Sequence, residues 1–218
     1  MLKMCGLRRT EEIDAAAAAG ATHVGFIRFP KSPRHLRMDA AAALARHAES
    51  AVRTVVVTVD APDADIEAIV STIRPDMIQL HGSESVERVA EIKARFDVGI
   101  VKAVPVRRAP DLELARGYEQ LVDALLFDAK APEGSDLPGG NGTSFDWTLL
   151  EGFRSGVPWF LSGGLDAGNL GEAMALTGAR SLDLSSGIED EPGIKSLSKI
   201  AAVGDAMRTA AKHERSSG

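Results

Sequence analysis

Cys5 is the only cysteine among 218 residues, and it closes a short apolar run, Leu2–Cys5, directly before Gly6. A thiol in that position is either a small buried hydrophobe or, with a cation or helix dipole beside it, a thiolate base or nucleophile. Asp128 closes a second apolar run, Ala124-Leu125-Leu126-Phe127. An acid set behind four apolar residues is expected to be desolvated, which favours its protonated form and suits a general acid. The alternative is a loop-capping or ion-paired aspartate, with Lys130 as partner. Arg34, in Pro30-Lys31-Ser32-Pro33-Arg34, offers a planar fork for a carboxylate; taken alone it reads equally as surface charge. His81, in Gln79-Leu80-His81-Gly82, is a polar wall residue, a titrating group or an ordinary strand-end histidine. Two glycine-rich turns follow strand-like runs late in the chain, Ser162-Gly163-Gly164-Leu165 and Ser185-Ser186-Gly187. Small residues let backbone approach a ligand, and N–H groups at a following helix start favour phosphate. Together these residues suit acid–base chemistry on a phosphorylated small molecule.

The elements that must hold them alternate. Strands are expected at Leu2–Cys5, His23–Arg28, Thr54–Val59, Met77–Leu80, Gly99–Val104, Ala124–Phe127, Trp159–Leu161 and Ser181–Leu184. They are short, apolar and often β-branched, as in sheets covered on both faces. Alanine-rich helical stretches lie between them, such as Glu11–Ala19 and Met38–Ala48. Thr10 is a candidate cap for the first helix, with Gly20 ending it; Asp39 suits the second start, and Ser83 that of Glu84–Arg95. The last helix follows Pro192-Gly193. Strands recurring every 20–30 residues or so with helices between imply βα units and a parallel sheet. No Gly-x-Gly-x-x-Gly follows the first strand, which disfavours a dinucleotide fold. The expectation is an α/β chain forming a single (β/α)8 TIM barrel over residues 1–211, with a frayed tail at 212–218. Active sites of such barrels lie at the C-terminal ends of the strands, with phosphate on the last two. The irregular stretch Ala131–Phe145 follows strand six on that face.

Composition narrows the classes. Acidic residues outnumber basic ones, 31 to 25, for a net charge of −6, and no dense Lys/Arg run speaks for nucleic acid. No apolar run approaches the roughly 18–20 residues of a membrane span, and no signal peptide is evident. One cysteine excludes an internal disulfide and a cysteine zinc cluster. No metal site has convincing spacing, and no Gly-x-Ser-x-Gly elbow is present. The default reading is a cytoplasmic protein that is a monomer or a homodimer.

The ordered set of motifs resembles phosphoribosylanthranilate isomerase. The matching segments are Lys3-Met4-Cys5-Gly6, Gly25-Phe26, Lys31-Ser32-Pro33-Arg34, Gln79-Leu80-His81-Gly82 and Lys102-Ala103. They continue with Asp128, Gly139 to Trp147, Ser162-Gly163-Gly164-Leu165 and Asp183 to Glu189, covering residues 3 to 195. The resemblance implies an Amadori rearrangement of N-(5′-phosphoribosyl)anthranilate in tryptophan biosynthesis, without metal or cofactor. It implies Cys5 as general base, Asp128 as general acid, Arg34, Gln79, His81 and Asp183 as substrate contacts, and Gly163, Gly164, Ser185, Ser186 and Gly187 around the phosphate. A related phosphorylated-aminoaldose isomerase and a non-catalytic phosphosugar-binding protein are the alternatives; retention of both Cys5 and Asp128 argues against the second. Three positions depart from the pattern. Arg28 and Thr58 stand where the family has aromatics, so altered packing is expected, with Arg28 supplying a salt bridge or an extra anion contact. Ser196 replaces an aspartate and leaves the start of the last helix open.

Overall fold

The computed structural model describes residues 1–129, 139 and 144–216, with side chains as far as 211. Lys130, most of the stretch Ala131–Phe145 and the side chains of the expected tail lie outside the described residues. Eight strands form: β1 Leu2–Cys5, β2 His23–Ile27, β3 Arg53–Thr58, β4 Met77–Leu80, β5 Gly99–Val106, β6 Ala124–Ala129, β7 Trp159–Leu161 and β8 Leu182–Leu184. They close into a parallel barrel in chain order, with β8 returning to β1. Asp128 thus lies within β6, paired in register with Pro105, rather than just beyond it.

Among the described residues, seven α-helices surround the barrel: α1 Thr10–Ala18, α2 Met38–Ala48, α3 Asp63–Thr72, α4 Val86–Arg95, α5 Ala109–Arg116, α6 Leu170–Thr177 and α7 Leu197–Ser216. Among the described residues, the place between β6 and β7 holds a 3-10 turn, Trp147–Leu150, rather than an eighth α-helix. Aromatic side chains cover the outside of the barrel there. Phe127 and Phe153 meet edge to face at 5.0 Å, and Trp159 packs edge-on against both. No helix among the described residues is long and apolar enough to cross a membrane.

Three helix starts differ from the sequence expectation. Thr10 lies inside α1; Glu12 seals the end instead, its buried carboxylate accepting from the backbone N–H groups of Arg8 and Arg9. Ser85, not Ser83, caps α4, accepting from Arg88 N. Glu84 turns inward to Lys102, 2.8 Å away, and both side chains are buried. The last helix begins after an antiparallel hairpin, β9 Glu189–Glu191 and β10 Ile194–Lys195, with Ser196 directly before it.

Side chains alternate across each strand, and in this barrel one set points inward. Val55, Met77, Val101, Ala103, Ala124, Leu126 and Phe160 pack there as a separate buried cluster. The same parity continues to the C-terminal ends as Cys5, Gln79, Asp128 and Asp183, which the cavity exposes. The floor of the barrel therefore sets the direction of the site above it.

His23 also points into the barrel and meets the Phe160 ring edge to face at 5.7 Å. Burial, with Lys3 and Arg53 nearby, pushes its pKa down to about 4. Its folded pKa lies below the unfolded one, so the unfolded chain binds the extra proton as pH falls from 6.5 towards 4. At pH 5 that costs about 2 kcal/mol of stability relative to pH 7.5. We expect urea unfolding to show this loss in the wild type, and His23→Gln to remove that share of it. Equal acid sensitivity in both proteins would contradict a neutral buried His23.

Candidate active site

The cavity opens at the C-terminal end of the barrel and measures about 780 Å3 with its mouth included. Cys5 enters from β1 and Asp128 from β6, with β8 and β7 between them. Each is only 5% exposed. Gly25 on the neighbouring strand leaves room for the sulfur, since a methyl group there would stand 2.6 Å from Cys5 Sγ.

Of the charges around Cys5, the sequence reading assigned Asp183, as a substrate contact, but not Lys3 or Lys195. Lys3, two residues earlier on the same inward face, is wholly buried and donates to Asp183 Oδ1 at 2.9 Å. Burial works against the Lys3 ammonium, but Asp183 and Cys5 outweigh it and hold its pKa above the ordinary lysine value. Burial pushes the Cys5 thiol up, while Lys3 and Lys195 pull it down and Asp183 adds to the rise. Burial thus opposes the Cys5 thiolate, and two lysine side chains are placed to favour it. The signal for Lys3 was present in its i, i+2 spacing from Cys5. Lys195 and Glu189 could be placed only by the hairpin that brings them back to the mouth.

Arg34 is 4% exposed and lines the cavity. Its Nε and Nη2 each lie 2.7 Å from one oxygen of Glu189, a bidentate pair. Lys195 Nζ shares Glu189 at 2.7 Å and donates to the Ser185 carbonyl at 2.8 Å. Burial raises the Glu189 carboxyl, but Arg34 and Lys195 hold it below the usual range. The arginine fork expected from sequence is therefore rigidly mounted, and the mount is Glu189.

Asp128 accepts from Ala129 N at 2.9 Å on one oxygen and stands 3.3 Å from His81 Nε2 on the other. Gln79 Nε2 lies 2.7 Å from His81 Nδ1. On the β7 and β8 side, Ser162, Gly163, Gly164, Leu165, Ser185 and Ser186 line the wall. Gly163 and Gly164 adopt φ of +89° and +67°, a conformation that favours glycine. A 3-10 turn at Ser186–Ile188 follows β8, and its first N–H groups have no intrahelical acceptor. Gly187 does not line the cavity; it packs under the Leu165 carbonyl, where a side chain would collide. An apolar wall of Ile27, Phe29, Val57 and Val59 lies on the β2 and β3 side.

Arg28 and Thr58 turn away from that wall, because their neighbours Ile27 and Val57 hold the inward positions. Arg28 Nη1 donates to the Leu36 carbonyl at 2.6 Å, and it forms no ion pair among the described residues. The partner of Arg28 is thus a backbone carbonyl rather than the expected salt bridge, and Phe29 is the aromatic residue that lines the cavity. No three His, Cys, Asp or Glu side chains among the described residues are grouped as a metal site.

A family model described as N-(5′phosphoribosyl)anthranilate (PRA) isomerase matches residues 2–206. The chain is 52% identical over 209 residues to the N-(5′-phosphoribosyl)anthranilate isomerase of Rhizobium meliloti (strain 1021), covering 96% of this chain and 97% of that one. It is similar to the crystal structure of the phosphoribosyl anthranilate isomerase from Thermotoga maritima, with TM-score 0.83, 31% identity, and 95% and 98% of the two chains covered. A second crystal structure holds such an isomerase with reduced 1-(o-carboxyphenylamino)-1-deoxyribulose 5-phosphate; TM-score is 0.80 at 28% identity, covering 95% and 98%.

Proposed function

We propose, for a chain that belongs to the N-(5′-phosphoribosyl)anthranilate isomerase family, that Cys5 is the general base and Asp128 the general acid. The protein is an enzyme of tryptophan biosynthesis that isomerises N-(5′-phosphoribosyl)anthranilate. The supporting observation is that Cys5 and Asp128 reach into one cavity whose walls also hold a mounted arginine and two glycine turns. Asp128 gives its proton to the ribose ring oxygen as the C1–O bond breaks, and the nitrogen lone pair closes a protonated imine. Cys5 thiolate takes the proton from C2, and those electrons form the C1–C2 double bond and neutralise the nitrogen. The enolamine becomes the 1-deoxyribulose ketone when C1 gains a proton and the enol hydroxyl loses one. The positive imine adds to Lys3 and Lys195 in favouring the thiolate.

In this reading Arg34 holds the anthranilate carboxylate, and the aromatic ring lies against Ile27, Phe29, Val57 and Val59. Asp183 accepts from a sugar hydroxyl. Amides of Gly163, Gly164, Ser185 and Ser186 hold the phosphate, and Gly187 keeps the two turns close. A role in amino-acid biosynthesis supports a cytoplasmic location. The test is a crystal structure with the reduced product analogue and the kinetics of Arg34→Met. A charge-assisted bond worth ~1.5–3 kcal/mol gives about a 10- to 100-fold rise in KM with kcat little changed. An unchanged KM, or an analogue whose carboxylate lies away from Arg34, would overturn the assignment.

A further inference from the structure

Gln79 and His81 line the cavity, yet their closest polar partners are each other and Asp128. Gln79 is fully buried, and its Oε1 is buried with no hydrogen-bond partner among the described residues. A buried acceptor left without a donor costs ~1–3 kcal/mol. A half-turn of the amide exchanges its oxygen and nitrogen. That turn gives Oε1 the Nδ1–H of His81 and leaves the Nε2 lone pair facing Asp128. A proton shared between His81 Nε2 and Asp128 Oδ2, 3.3 Å apart, then satisfies both groups. With the amide turned the other way, Gln79 donates to Nδ1, Nε2 carries the hydrogen, and Asp128 receives it as a carboxylate. Amide orientation, imidazole tautomer and the Asp128 proton are therefore linked along one line.

Gly139 adds an independent observation. A methyl group on it would stand 2.5 Å from both Asp128 Oδ2 and His81 Nε2. Gly139 stands against this 3.3 Å contact, and a side chain there would meet both groups.

We propose that Gln79 and His81 are positioning residues for the reaction, holding the Asp128 carboxyl group in line for the proton that it passes to substrate. This deepens the reading of Asp128 as general acid and rests on it. When the proton leaves, the electron pair of the O–H bond stays on Oδ2, and the ring oxygen of the substrate becomes a hydroxyl. Neither His81 nor Gln79 needs to touch substrate for this.

The experiment is steady-state turnover of N-(5′-phosphoribosyl)anthranilate, followed by loss of anthranilate fluorescence. The proteins are the wild type, His81→Ala, His81→Gln, Gln79→Met, Asp128→Asn and the His81→Ala/Asp128→Asn double variant. Misalignment of a catalytic group is expected to lower kcat about 10- to 100-fold in His81→Ala, with KM within threefold. The double variant should be no slower than Asp128→Asn alone, because both changes act through one proton. Added imidazole should restore part of the rate in His81→Ala and none in Asp128→Asn. Wild-type kcat in His81→Ala, a raised KM alone, or losses that multiply in the double variant would each overturn the proposal. Should His81→Ala not fold, the kcat of His81→Gln and Gln79→Met at wild-type melting temperature decides in the same way. An active Asp128→Asn would instead remove the acid assignment itself, and this proposal with it.

Discussion

Asparagine in place of Asp128 lowers kcat by about 10²–10⁴-fold, the span of a lost general acid, and leaves KM within about threefold. That range corresponds to about 3–5 kcal/mol of transition-state stabilisation. The substitution is close to isosteric. Its amide oxygen still accepts from Ala129 N, which Asp128 does at 2.9 Å, so the strand and the neighbouring Gly163 turn keep their places. What disappears is a proton available to the ring oxygen as the C1–O bond breaks. Without it the leaving group must depart as an alkoxide inside a largely apolar cavity, where a new charge is poorly solvated. The measurement is fluorescence-monitored turnover beside the melting temperature of both proteins. Turnover above a tenth of the wild type, with the fold intact, would assign the acid to another group.

The barrel itself was legible because strands covered on both faces are short, apolar and regularly spaced, and each of the eight barrel strands falls within about two residues of its expected place; the β9–β10 hairpin was not foreseen. Cys5 and Asp128 were legible as candidates that face the cavity, because polar residues at the C-terminal ends of barrel strands come to the mouth; their sequence left a buried thiol and a capping or ion-paired aspartate open as well. Charges that work through distant partners were not legible. Lys3 meets Asp183 across 180 residues of chain, and Arg34 meets Glu189 across 155. The i, i+2 spacing from Cys5 places Lys3 on the inward face, but nothing local names the partner that makes its burial tolerable, Asp183. Helix starts failed on a smaller scale. Thr10 and Ser83 have the right chemistry for caps, but Glu12 reaches back to seal α1, and Glu84 is drawn inward by Lys102. The strand parity that turns Arg28 out and Phe29 in was readable in principle, since Ile27 and Val57 are neighbours in register.

Serine or alanine in place of Cys5 lowers kcat by a similar factor, about 10²–10⁴. Serine is the more telling change, because its hydroxyl fits the space and does not ionise in the physiological range. If a hydrogen-bonding group of that size were all the site required, serine would preserve the rate. The sulfur is further open to direct titration, because this is the chain's sole cysteine and alkylation reports it alone. Burial is the largest influence on it and raises its pKa, so the alkylation rate of free enzyme should keep climbing with pH beyond the range of an ordinary thiol. Lys3 acts in the opposite sense. Lys3→Met should therefore move the alkylation midpoint to still higher pH and slow turnover at neutral pH, while leaving Cys5 in place. A midpoint at or below that of a free cysteine would show that the two ammonium groups outweigh burial even without substrate. A serine variant as fast as the wild type would remove the thiolate from the mechanism, and the proton on C2 would need another acceptor in the cavity.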